Sequence, residues 1–156
     1  MAKSTSDFEG IIREVNSIMN PITISTVVNA DIATVWEFWT DPAHITQWAF
    51  ASDDWECPRA ENDIRTGGAF SSTMAAKDGS ASFDFGGVYT NVIPHELIEY
   101  TMGDGRKSSI SFTPTEAGVE IVQSFDPENE NTRELQQAGW QAILDNFKKH
   151  VEASKF

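Results

Sequence analysis

The stretch TRELQQAGWQAILDNFKKHVEA, residues 132–153, decides the fold. Leu135, Trp140, Ile143, Leu144, Phe147 and Val151 recur every three or four positions, which is the spacing of one apolar face on an α-helix. At about 1.5 Å per residue such a helix is about 30 Å long, enough to cross a small sheet. Upstream the chain reads as strands and tight turns. Gly67-Gly68 separates two strand candidates, and Asp78-Gly79 joins residues 70–76 to residues 81–93. Pro94 breaks the next crossing, which resumes over residues 96–102. Asp104-Gly105 and Ala117-Gly118 close two more hairpins around residues 108–113 and 119–125. Turns this short make neighbouring strands antiparallel. A sheet with one apolar face must cover that face, and only the helix at 132–153 is long enough.

Toward the N-terminus, residues 22–29 are rich in β-branched side chains and predict a strand. Asp31 can cap a helix running through Thr40, with Ile32, Val35, Trp36 and Trp39 on its apolar face. Asp41-Pro42 starts a second, shorter helix that carries Ile45 and Trp48. Before Pro21, Ser6-Asp7-Phe8-Glu9 has the form of a capping box. Phe8, Ile11, Ile12, Val15, Ile18 and Met19 follow it at helical spacing. The expectation is an amphipathic appendage over residues 1–20 and one domain over residues 21–156. That domain is α+β: a curved antiparallel sheet of about six or seven strands around the C-terminal helix, with two short helices after the first strand.

Composition narrows the function. A chain of 156 residues fits one domain. The net charge of -13 repels phosphate backbones and anionic bilayers, so nucleic-acid binding is excluded as a class. Cys57 is the single cysteine, so no intrachain disulfide forms, which suits a reducing compartment. No apolar run approaches the roughly 20 residues of a membrane span. No apolar segment follows the opening Met-Ala-Lys-Ser-Thr-Ser-Asp, and the expected location is the cytoplasm.

Candidate chemistry is sparse. His44, His95 and His150 are far apart in sequence, and Cys57 belongs to no C-x-x-C or H-x-H pair, so no metal or other cofactor is expected. The three histidines are expected to face solvent. Residues 126–131 resemble a calcium loop only in acidity, because Asn131 and Gln137 stand where glycine and glutamate belong. Gly67-Gly68 lacks a phosphate-binding frame and reads as a turn or bulge. Asp63 and Arg65 read as an ion pair, either near a cavity or at the surface. Gly139 costs the helix about 1 kcal/mol relative to alanine, so it either thins a face to open space or permits close helix–sheet approach. Phe83, Phe85, Gly87 and Tyr89 share one strand face. Glycine on that face leaves room for a ligand or for a large side chain from the helix. Trp36 and Trp140 fit core packing as well as a cavity wall.

The order of signatures resembles a known family. Val35-Trp36, Thr40-Asp41-Pro42 and Trp48 come first, followed by Asp63 through Phe70, Gly87-Val88-Tyr89 and Pro94. Gly139 through Leu144 with Phe147 closes the series. The pattern is similar to the bacterial homologues of the C-terminal domain of the heat-shock-protein-90 ATPase activator, within the START-like helix-grip superfamily. The resemblance implies a helix-grip fold with a cavity between sheet and helix. It also implies that Trp48 and Trp55 flank the cavity mouth. Where the eukaryotic activator has a separate N-terminal domain, the expectation for this sequence is one short helix, and the acidic surface is expected to lack basic docking patches.

Strand parity, helical spacing and this resemblance together give a candidate ligand-binding set. Trp36, Phe70, Phe85 and Tyr89 belong to it, as do Tyr100, Phe112, Trp140 and Phe147, with Trp48 near the mouth. Tyr89 and Tyr100 are the candidates for orienting a polar end of a ligand. The expected function is non-enzymatic binding of a small hydrophobic or amphipathic molecule. Two alternatives remain open: a cyclase or hydrolase working in the same cavity, and a co-chaperone-like interaction module that contacts a chaperone.

Overall fold

The computed structural model describes residues 20–154, and the expected N-terminal helix lies outside the described residues. Strand β1 spans Ile22–Val28. Helices α1 (Ile32–Thr40) and α2 (Pro42–Trp48) follow. Six strands come next: β2 (Trp55–Asn62), β3 (Ala69–Ala76), β4 (Ser82–Ile93), β5 (Leu97–Met102), β6 (Lys107–Thr115) and β7 (Gly118–Phe125). Helix α3, Arg133–Ala153, ends the described chain.

The strands form one antiparallel sheet in the order β1-β7-β6-β5-β4-β3-β2. β2 through β7 are a meander, as the short turns require. Residues 55–62 form the strand that the sequence leaves without bounds before Gly67. β1 joins the far side of β7, so α1 and α2 carry the chain from one sheet edge to the other. Register shifts at Glu56/Arg59 and Tyr89/Asn91 curl the sheet into a half-barrel.

Local chemistry fixes the helix ends. Asp31 accepts from the Thr34 amide at 2.8 Å. Asp41 serves both short helices: its amide donates to Glu37 at 2.9 Å, and its carboxylate accepts from the Ala43 amide at 2.9 Å. Thr132 caps α3 by accepting from the Leu135 amide at 3.1 Å.

Helix α3 is strapped to the β1 side. Gln141 donates to the Ser25 carbonyl at 3.1 Å, and Glu152 accepts from the Asn29 amide at 2.8 Å. Leu144, Phe147 and Val151 are buried there with Ile22, Ile24 and Val28. This is the α+β helix-grip architecture expected from the sequence.

Candidate functional site: a cavity under the N-terminal half of α3

Because α3 leans on β1, the strands at the opposite side of the sheet are incompletely covered. A cavity of about 520 Å³ remains there. β3, β4 and β5 supply its sheet-side wall. Phe70 is the hub of that wall, with ring centroids 5.0 Å from Tyr89, 4.8 Å from Tyr100 and 5.9 Å from Phe85. Trp140 comes from α3, stacks on Phe125 at 3.9 Å and meets Phe85 edge-on at 5.7 Å. Trp39, Ile45 and Trp48 wall the α1–α2 side.

The mouth is apolar too. Phe83 is 52% exposed and Leu135 60% exposed, and both belong to the lining. Phe50 and Trp55 complete that rim, with Trp55 6.0 Å from Phe83. Gly139 faces the same space, and a methyl group built on it would meet nothing within 4 Å. Of the two readings of Gly139, the thinned helix face is the one found. Gly87 differs: a Cβ there would lie 2.3 Å from the Thr101 carbonyl oxygen. It permits close strand approach, rather than leaving room beside the aromatics as the sequence reading expects.

Of the candidate set, Trp48, Phe70, Phe85, Tyr89, Tyr100 and Trp140 line the cavity. Trp36, Phe112 and Phe147 do not. Phe147 is 0% exposed, wedged 4.8 Å from Trp39 and 4.9 Å from Trp48. Phe112 packs 5.4 Å from Trp36 and 5.6 Å from Trp39. Parity assigns Phe112 to the inner face correctly, but α1 covers that end of β6. Helical spacing likewise puts Phe147 on the Trp140 side, two turns along, where the core is closed. Trp48 also differs from a rim residue. It is buried and donates its indole N–H to the Phe38 carbonyl at 2.9 Å.

Several lining residues escaped the sequence reading. Ser72 and Met74 share the face of Phe70 by simple alternation. Gln123 is a polar residue on the buried face of β7, between Ile121 and Phe125, and that break in an apolar face was the available signal. Arg106 lines the cavity beside Tyr100, but its charge is matched by Asp104 at 2.7 Å.

The polar groups inside are satisfied. Tyr89 donates to the Asn62 carbonyl, and Asn62 donates to the Thr40 carbonyl at 2.7 Å. The side chains of Ser108 and Gln123 lie beside the Tyr100 hydroxyl and partly offset the effect of its burial. Among the described residues no buried side-chain nitrogen or oxygen lacks a partner. Burial pushes the Tyr100 phenol up to about 12. Burial, with the neighbouring Tyr100, also holds Tyr89 well above its ordinary value. Both hydroxyls are therefore neutral at physiological pH and serve as hydrogen-bonding groups, not as bases.

Elsewhere, Asp63 and Arg65 pair at 3.0 Å on the surface, outside the cavity lining. The loop at 126–131 is tied by Glu128, whose carboxylate accepts from the Asn131 amide at 2.7 Å and the Glu130 amide at 3.0 Å. His95 is exposed, as expected. His44 and His150 are not: they are half-buried and meet at 3.1 Å, Nδ1 to Nε2, with His44 stacked 3.8 Å from Phe38. They lie 106 residues apart, and only the docking of α3 on α2 brings them together. Glu37, Asp41 and His44 form a group whose ligand atoms all lie within 4.8 Å of one another.

A curled antiparallel sheet gripping a long C-terminal helix, with a cavity between them, defines a helix-grip domain. Residues 29–152 match the family described as Activator of Hsp90 ATPase homolog 1-like protein, and the chain belongs to that family. Solved structures agree. An AHSA1-like protein from Aeromonas hydrophila is 42% identical with a TM-score of 0.82, covering 86% of this chain and 93% of its own. A protein from Cytophaga hutchinsonii is 57% identical with a TM-score of 0.75, over the same shares. A Chromobacterium violaceum protein is 26% identical with a TM-score of 0.77, covering 85% of this chain and 98% of its own. No curated protein matches the chain. Among the described residues, no helix is long and apolar enough to cross a membrane.

Proposed function

We propose that this chain is a non-enzymatic binding domain that takes a small hydrophobic or amphipathic molecule between the sheet and α3. The observation that carries this reading is the unfilled space facing Gly139, walled by aromatic side chains and open at an apolar rim. Its volume of about 520 Å³ falls within the range of sites for small organic molecules, about 300–1,000 Å³. Burial of an apolar ligand body gains about 25 cal/mol per Å². A hydroxyl or carbonyl on the ligand can exchange hydrogen bonds with Tyr89, Asn62 or Gln123. No histidine lines the cavity and its tyrosines are held neutral, which leaves the carboxylates of Glu61 and Glu128 as the basic groups of the lining, and Glu128 is engaged by the Asn131 and Glu130 amides. The free, buried thiol of Cys57 suits a reducing cytoplasm.

Four of the five tryptophans line the cavity: Trp39, Trp48, Trp55 and Trp140. Titration with decanol and with decanoate should therefore change tryptophan fluorescence saturably, with a stoichiometry near one by calorimetry. Absence of saturable binding by either compound overturns the reading. The family name carries a second one, contact with a chaperone. Phe83 and Leu135, exposed beside the mouth, are the apolar side chains such a contact would use. Binding to purified Hsp90 that is lost in Phe83→Ser would favour it.

A further inference from the structure

A second cluster lies at the corner between α1 and α2, and none of its members lines the cavity. Glu37 stands in the last turns of α1. Asp41 is the residue shared by the two helices, and His44 follows in the first turn of α2. One carboxylate oxygen of Asp41 accepts from the Ala43 amide, which leaves the other available. Two restraints hold the His44 ring: its stacking on Phe38, with planes 15° apart, and the contact of its Nδ1 with His150 Nε2 at 3.1 Å.

When Nδ1 of His44 donates in that contact, its Nε2 carries the lone pair. That atom stands 3.8 Å from a Glu37 carboxylate oxygen. The gap is too long for a hydrogen bond. It is spanned by two bonds of about 2.0–2.2 Å to one shared ion, the lengths that zinc makes with imidazole and carboxylate. Three acceptors thus converge, and a metal-binding imidazole ordinarily has its other nitrogen fixed by an outer partner, as His150 fixes this one.

We propose that Glu37, Asp41 and His44 bind one divalent cation of the zinc class, with His150 as a positioning residue. Two carboxylates balance the charge of the ion. The imidazole selects zinc, cobalt or nickel over magnesium and calcium, which prefer all-oxygen shells. Water fills the remaining coordination position.

The test uses the full chain, Zn²⁺ in competition with a chromophoric chelator, and Co²⁺ followed by visible absorption. One equivalent of each should bind, at a site where His44 is ligated through Nε2 while Nδ1 keeps its proton in ¹H–¹⁵N spectra. Glu37→Gln, Asp41→Asn and His44→Gln should each remove this event, and circular dichroism reports whether each variant is folded. Asp41→Asn retains a capping side chain, so the test stands even if His44→Gln fails to fold. His150→Gln should weaken binding about tenfold while leaving the Co²⁺ spectrum in place. Equal zinc binding by Glu37→Gln, Asp41→Asn and the parent chain overturns the proposal, as does ligation of His44 through Nδ1.

Discussion

The two ends of α3 sit on the same sheet and do opposite things. The C-terminal half, with Leu144, Phe147 and Val151, is sealed against β1, α1 and α2. The N-terminal half presents Gly139 to empty space and leaves Leu135 at an open rim. The difference arises from where the helix is tied. Gln141, Lys148 and Glu152 all bond the backbone of β1 or the residue that follows it, so the helix leans to that side and leaves β3 and β4 bare. Packing is thus concentrated at one end of the molecule and space at the other.

If the sealed end carries the stability, substitutions there should dominate. Phe147→Ala should cost about 3–5 kcal/mol, since a fully buried aromatic leaves a cavity its neighbours cannot fill. Phe85→Ala, at the wall of an existing space, should cost only about 1 kcal/mol. Urea unfolding of the two variants measures both. Equal costs would mean that the two ends form one continuous core.

Gly139→Leu sharpens the same contrast at the open end. The new side chain enters unoccupied space, and the helix gains up to about 1 kcal/mol from the removal of glycine. Thermal stability should hold or rise, while the affinity for decanol falls tenfold or more. That tenfold corresponds to about 1.4 kcal/mol of binding free energy. Loss of fold in this variant would show that α3 closes onto the sheet in solution.

What could be read beforehand follows the same division. The meander and the helix were legible because hydrophobic periodicity and turn residues are local signals, whereas the pairing of β1 with β7 has no such signal. Which face each strand buries was legible as well, and six of the nine candidate residues fall in the cavity lining. The position of a residue along its element was not. Phe112 and Phe85 have the same parity signature, yet α1 covers one while the other meets the edge of Trp140 and faces the cavity. The side to which α3 leans depends on Gln141 and Glu152 reaching β1, contacts with no periodic trace in the sequence. The meeting of His44 with His150 is hidden for the same reason.

Tyr89→Phe probes a single bond in the cavity wall. Removal of the hydroxyl leaves the Asn62 carbonyl without its donor in a half-buried setting. The expected loss is about 1 kcal/mol by urea unfolding, with the cavity otherwise unchanged. A neutral outcome would indicate that water reaches Asn62 from the cavity and replaces the phenol.

The smallest expected effect is confined to the loop beside the open end. Acid reaches the sealed end through His150, which burial first and then His44 hold below the ordinary imidazole value, whereas the loop at 126–131 is held by an ionised carboxylate. The Asn131 amide first, then its side chain and the Glu130 amide, hold Glu128 below its ordinary value of 4.5. Because the folded chain binds that proton less readily than the unfolded one, the stabilising contribution is complete above about pH 4.5 and is lost as pH falls below it. Asp31, which caps α1, Asp78 and Asp104 are likewise held low, so a global melting curve mixes all of these groups. Amide hydrogen exchange separates them. As pH falls from neutral to about 3, protection at Asn131 should fall relative to intrinsic rates. In Glu128→Gln, Asn131 should already be less protected at neutral pH, and its protection should no longer change with acid. Equal protection of Asn131 in the variant and the parent would mean that Gln136, which bonds the Glu128 amide and carbonyl and the Asn131 carbonyl, holds the loop without the carboxylate.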